Sequence, residues 1–180
     1  MTSDLRQRLP YLYVVLGVVA FDQLSKWLVP RFLPLHDFRP LIDGVLSLSH
    51  VRNRGAAFGI LSEADLPYQG VIFSVVSLLA LAAIAMYSLR LPSMSRLPQT
   101  GLALVLGGAL GNLMDRMRLG YVVDFIHVYW KQFQWWDFNV ADSCISIGVA
   151  LLLLDVVLSP HGQATDKPGI PEAASAGRND

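Results

Sequence analysis

Apolar residues fall into four long blocks along this chain, and the polar residues gather at particular ends of those blocks. Residues 11–29 are apolar apart from Asp22, Gln23, Ser25 and Lys26. Residues 68–89 carry no charge over 22 positions, and residues 97–114 carry none over 18. A last block, residues 139–158, holds Asp142 near its start and Asp155 near its far end. A hydrocarbon core about 30 Å thick needs about 20 apolar residues in a helix to cross it. The pattern therefore predicts four transmembrane helices, at about 11–29, 68–89, 97–118 and 139–158. Pro10 fits the N-terminus of the first.

The stretches between the blocks differ in kind. Residues 31–67 are mixed and rich in proline and charge. Within them residues 45–51 alternate, with Leu46 and Leu48 on one face and Ser47 and Ser49 on the other, which predicts a short strand. Asp43-Gly44 is a turn signal before it, and Ser62 followed by Glu63 and Asp65 looks like a capped short helix. This segment reads as a small extramembrane layer resting on the bundle. Residues 90–96 form a basic loop. Residues 119–138 are dense in Tyr, Trp and Phe, side chains that favour the membrane–water interface, and predict a connection at headgroup depth. Residues 159–180 have the small polar composition of a disordered tail. The whole of 1–158 is expected to form one membrane-embedded unit.

Composition narrows the chemistry. The chain is 53% hydrophobic and only 16% charged over 180 residues, too apolar for one small domain to bury in water. A basic start before an apolar run also describes a signal peptide, but Val18-Val19-Ala20 is a poor cleavage site and the run is long enough to span. The net charge of zero gives no electrostatic case for nucleic acid. The single cysteine, Cys144, excludes an internal disulfide and reads as a buried small hydrophobe. The scattered histidines argue against a zinc site, and no metal or cofactor is expected. No serine sits in a Gly-x-Ser-x-Gly turn and no glycine loop for phosphate is present. His127 stands three after Asp124, but Asp-x-x-His alone is a common coincidence.

Four spans put both termini on one side of the membrane. Asp22 and Lys26, the group Asn112, Asp115 and Arg116, and the pair Asn139 and Asp142 then collect at the opposite leaflet with the loop residues Asn53 and Asp124. Arg and Lys are evenly divided between the two sides; Arg6, Arg8, Arg90 and Arg96, close to helix ends, favour cytoplasmic termini.

Charged groups in a membrane helix are costly and are paired, cavity-facing or functional. Asp22 and Lys26, in the favourable i, i+4 order, read as a structural ion pair. Gly107 and Gly111 let a neighbouring helix come close. Asn112, Asp115 and Arg116 share one helix face, and Arg116 could pair with Asp124 or Asp142 or hold a substrate carbonyl, though structural bracing is the role preferred for it. Asp124 and Asp142 are harder to explain as braces, because neither has a base beside it in sequence. Two carboxyls in a site of low dielectric share one proton, so one can take a proton from water while the other polarises a carbonyl. That is aspartic proteolysis. The same pair could carry protons through a transporter, or serve a non-catalytic scaffold. Against transport, the chain has no internal repeat and its polar groups lie at one leaflet.

Five blocks in order then point to a family. Asp22-Gln23-x-Ser25-Lys26, Asn53-x-Gly55-Ala56-Ala57-Phe58-Gly59, Gly107-Gly108-x-x-Gly111-Asn112-x-x-Asp115-Arg116, Val122-Val123-Asp124-Phe125 and Phe138-Asn139-x-Ala141-Asp142 together resemble bacterial lipoprotein signal peptidase, the type II signal peptidase. The resemblance covers residues 11 to about 158. It implies a four-helix aspartic endopeptidase of the bacterial inner membrane, with cytoplasmic termini and its site at the periplasmic leaflet. It implies an extracytoplasmic β-cradle and a short periplasmic helix. The implied substrates are diacylglyceryl-modified prolipoproteins, cut just before the lipidated lipobox cysteine, and the implied inhibitors are globomycin-type cyclic peptides. Asp124 and Asp142 would be the catalytic pair; Asn53, Gly108, Asn112, Asp115, Arg116, Asn139 and Ala141 would support them or bind substrate. Partners would be limited to substrate and membrane lipids, with a monomer assembling the whole site.

Overall fold

The structure is a computed structural model, and it describes residues 3–55, 68–90, 96–131 and 133–158. The elements are α1 (Ser3–Phe32), β1 (Phe38–Ile42), β2 (Leu46–Asn53), α2 (Gln69–Arg90), α3 (Arg96–Leu119), β3 (Val122–Trp130), β4 (Phe133–Gln134) and α4 (Val140–Leu158). The short helix expected from Ser62, residues 56–59 of the second sequence block and the tail from Ser159 lie outside the described residues.

All four helices are long and apolar enough to cross a membrane. Large apolar side chains such as Val71, Leu79, Leu153 and Val157 stand exposed on α2 and α4, as lipid-facing residues do. α3 is the exception: 56% of its apolar window is buried, against 17% or less in the others. It packs against α1, α2 and α4 and is the axis of the bundle. Small residues make this possible. A Cβ at Gly107 would meet Val18 of α1, and one at Gly108 would run into the backbone carbonyl of Ala141 on α4. The close approach read from Gly107 and Gly111 is thus to α1.

One expectation for α1 needs correction. The helix begins at Ser3, so Pro10 is inside it and not at its start. The residues before Pro10 are good helix formers and have work to do there: Arg8 donates to the carbonyls of Ser88 and Leu89 at 2.9 and 3.4 Å, satisfying the end of α2. Pro30 is also within the helix, near its end.

Residues 119–138 are a second correction. They do not form a plain interfacial connection; most of them build β3 and β4. The β-branched and aromatic side chains Val122, Val123, Ile126, Val128, Tyr129 and Trp130 suit a pleated surface. The sheet is antiparallel in the order β1-β2-β3-β4, so the cradle draws half its strands from each extramembrane segment. Gly44, at a φ of 77°, turns β1 into β2 as Asp43-Gly44 predicts. On β2 the serine face turns inward: Ser47 and Ser49 are buried while Leu46 and Leu48 are half-buried. Val29 and Leu33 at the end of α1 join Phe125 of β3 in the apolar cluster that seats the sheet on the bundle.

Candidate active site

The N-terminus of α4 is the keystone of the site. Asn139 caps this helix, its Oδ1 accepting the backbone N–H of Asp142 at 3.0 Å. Asp142 reaches back, its Oδ2 accepting the Asn139 N–H at 3.3 Å. This is a reciprocal capping box in which Asn and Asp take the usual Ser and Glu places. The adjacent helical N–H, that of Ala141, is taken by Asp22 Oδ1 from α1 at 2.9 Å. Two orphan donors at the α4 start are satisfied, one locally and one by another helix.

Asp124 arrives from β3. Its Oδ1 accepts from Asn139 Nδ2 at 2.7 Å, and its Oδ2 accepts from Asn53 Nδ2 at 3.0 Å. Asn53 is fixed in turn by the Gly55 N–H, which donates to its Oδ1 at 2.8 Å. Asp142 Oδ1 accepts from Asn112 Nδ2 at 2.8 Å. Asn139 thus touches both aspartates, one through its side-chain amide and the other through its cap, and it is wholly buried. Its NH₂ also lies 3.3 Å from Asn112 Oδ1 and 3.4 Å from the Val123 carbonyl; with only two hydrogens to give, the 2.7 Å bond to Asp124 dominates.

Among the described residues every hydrogen-bond donor to these two carboxylates is an amide. Among the described residues neither aspartate is in an ion pair. That leaves room for a shared proton. Asp124 is 1% exposed, and its pKa is pushed up from 3.8 to about 7, first by burial and then by the negative charge of Asp142. The amides of Asn53 and Asn139 and the charge of Lys26 pull the other way and do not win.

The cations are kept one layer back. Lys26 lies 2.8 Å from Asp22 Oδ2 and 3.1 Å from Asp115 Oδ2, and it donates to Asn112 Oδ1 at 2.8 Å. All three ammonium hydrogens are used. The ion pair read from Asp22 and Lys26 is therefore real, and it is a triad that includes Asp115. Asp115 also accepts from Gln23 Nε2 at 2.9 Å and from the Val123 N–H at 3.3 Å. A Cβ at Gly111 would run into Asp22 Oδ2, so a side chain here would push on a carboxylate that Lys26 and the Ala141 N–H hold in place.

Arg116 does not pair with either aspartate. It donates through Nη2 to the Gly55 carbonyl at 3.0 Å, and its Nε is buried with no partner among the described residues. Two clefts meet at Asn53 and Asp142. One, of about 540 Å³, is walled by Trp135, Trp136, Phe138 and Ile147. The other, of about 290 Å³, is walled by Phe73, Val76, Ala109 and Arg116. A chain lying across the site would have Asp142 at the junction.

One residue, Asp137, was not legible as part of this assembly. Asp137 accepts a short hydrogen bond from Ser49 Oγ on β2, and its Oδ1 lies 3.3 Å from His127 Nδ1 on β3. Phe138, between Asp137 and Asn139, exchanges backbone hydrogen bonds with Ile126 at 2.8 and 3.0 Å. The segment that delivers Asn139 is thereby clamped to both central strands. A lone carboxylate between Trp136 and Phe138 was the only signal. His127 faces away from Asp124, as an odd spacing on a strand requires, so Asp-x-x-His was indeed coincidence. Cys144 is half-buried and not the fully buried hydrophobe expected.

Comparison with known proteins supplies the family. Residues 14–158 match the family model for signal peptidase (SPase) II. The lipoprotein signal peptidase of Geobacter sulfurreducens is 49% identical over 84% of this chain and 93% of its own length. That of Geobacillus kaustophilus is 43% identical over 80% and 90%. Two solved bacterial membrane enzymes superpose with TM-scores of 0.72 and 0.74 at 30% and 27% identity, covering 87% and 84% of this chain and 94% of each of theirs. The chain belongs to the signal peptidase II family, and is a multi-pass membrane hydrolase of the aspartic peptidase class.

Proposed function

We propose that this protein removes the signal peptide from diacylglyceryl-modified prolipoproteins, cutting immediately before the lipidated lipobox cysteine with water activated between Asp124 and Asp142. The observation that carries the reading is Asn139, a buried amide that ties both carboxyls into one unit with no cation on either. The name shared by the relatives, lipoprotein signal peptidase, supports the substrate class.

The ionised carboxylate of the pair takes a proton from water as its oxygen attacks the scissile carbonyl. The protonated partner hydrogen-bonds the developing oxyanion. The C–N bond then breaks as a proton passes to the leaving amine. The pair titrates as a unit, so the resting proton belongs to both. Asn53 and Asn112 hold the carboxyls still. Arg116 lines the smaller cleft, and its guanidinium would hold a substrate carbonyl there. Gly108 lets α3 approach the Ala141 carbonyl at the start of α4, the turn that carries Asp142.

The site belongs at the periplasmic leaflet of the bacterial inner membrane, with both termini cytoplasmic. At that depth water reaches the dyad without crossing hydrocarbon, and the substrate's acyl chains stay in lipid. Globomycin-type cyclic peptides would compete for the same clefts. One copy of the chain supplies every residue named, so a monomer suffices. The test is cleavage of a lipobox peptide with and without its diacylglyceryl group, with the products weighed by mass spectrometry. A single cut before the cysteine, on the lipidated peptide alone, is expected. Equal cutting of both peptides, or a cut elsewhere, would refute the substrate assignment.

A further inference from the structure

A third cavity, of about 550 Å³, shares no lining residue with the two clefts at the dyad. It lies beneath the sheet between the ends of α1 and α3. Strand alternation explains the separation. Arg52 pairs with Val123 and Asn53 with Val122, so the Asn53 face of β2 turns to the dyad and the Arg52 face turns to this cavity.

Its lining has two halves. Leu24, Trp27, Pro30 and Leu119 form an apolar wall, and Leu24, Trp27 and Leu119 are themselves exposed on the flank of the spanning helices. Arg52, Arg118 and Tyr121 form the polar mouth. At the base Lys26 is already taken up by Asp115 and by the buried Asp22 behind it. Two guanidinium groups remain, and neither is in an ion pair among the described residues. Arg52 stacks on the ring of Tyr121 at 4.8 Å, and Arg118 makes one long hydrogen bond to Gln23 at 3.4 Å. Both side chains are exposed where α3 ends, which is headgroup depth for a helix that spans.

We infer that this cavity holds the headgroup of an anionic glycerophospholipid, its phosphodiester between Arg52 and Arg118 and an acyl chain along Leu24, Trp27 and Leu119. Guanidinium groups bind phosphate oxygens in pairs, and such bonds strengthen where water is scarce. The apolar wall selects a lipid over free phosphate, because only a lipid covers it. Two guanidinium groups outside any ion pair among the described residues select an anionic headgroup over a zwitterionic one, whose ammonium would be pressed against arginine.

The test is native mass spectrometry of the full chain released from nanodiscs containing equal phosphatidylglycerol and phosphatidylcholine. Wild type is expected to retain one phosphatidylglycerol, enriched about ten-fold over phosphatidylcholine, in line with two cations each adding to anionic-lipid affinity. The Arg52→Gln/Arg118→Gln double variant should lose the enrichment while its turnover in detergent stays within about two-fold of wild type, since neither arginine touches the dyad. Arg118→Gln alone should lose part of it, and serves if the double variant does not fold. Excess inorganic phosphate should leave the lipid in place. Equal retention of both lipids by wild type, unchanged enrichment in the folded variants, or displacement by phosphate or by an acidic peptide would overturn the inference.

Discussion

Asp124 shows how a fold can move the proton affinity of one carboxyl toward neutral pH. It is buried, it faces a second carboxylate, and its pKa stands near 7 against an ordinary 3.8. The folded protein therefore binds a proton between those values that the unfolded chain has released. Stability should fall as pH rises from about 4 to about 7 and then level off, by up to about 4 kcal/mol. Melting curves in detergent check this: wild type should lose more between pH 5 and pH 7.5 than Asp124→Asn, which cannot titrate there. Equal losses would mean that Asp124 keeps an ordinary pKa. The two aspartates were legible in the sequence because neither had a neighbouring base to neutralise it. The choice of Arg116 was not, since sequence shows that it shares a face with Asn112 but not that the Gly55 carbonyl would claim it.

The elements most responsible for the site are β3 and the first turn of α4, which bring Asp124 and Asp142 together from different layers. The helices were legible from their length and lack of charge. The strand β3 was not: aromatic residues suit both a membrane interface and a sheet, and only pairing with β2, far away in sequence, decides between them. The same long-range pairing hid the clamp on Asp137. If that clamp positions Asn139, Asp137→Ala should lower kcat several-fold at unchanged KM, and Asp137→Asn, which can still accept from Ser49, should restore most of it. A rise in KM with kcat unchanged would instead make Asp137 a substrate contact in the larger cleft, which it also lines.

At the scale of the molecule, a charged triad ties three helices together. Asp22 and Lys26 on α1 meet Asp115 on α3, and Asp22 also caps α4 through Ala141. Removing the one cation strands two carboxylates in the bundle. Lys26→Met should cost about 3–5 kcal/mol, the usual penalty for breaking a buried pair, and should show as a clear drop in melting temperature in detergent. An unchanged melting temperature would remove the triad from the account of stability. Four spans place this network, the sheet and both aspartates at one leaflet, which is why topology alone gathered the site residues before any contact was known. The central claim is that Asp124 and Asp142 act as one catalytic unit. The most direct measurement is turnover of a diacylglyceryl lipobox peptide by wild type, Asp124→Asn and Asp142→Asn, each checked for folding by its melting curve. The account predicts that both variants fold and that each loses at least about a thousand-fold in kcat, as loss of a group essential to proton transfer and attack implies. Folded variants that cleave at the wild-type rate would contradict it.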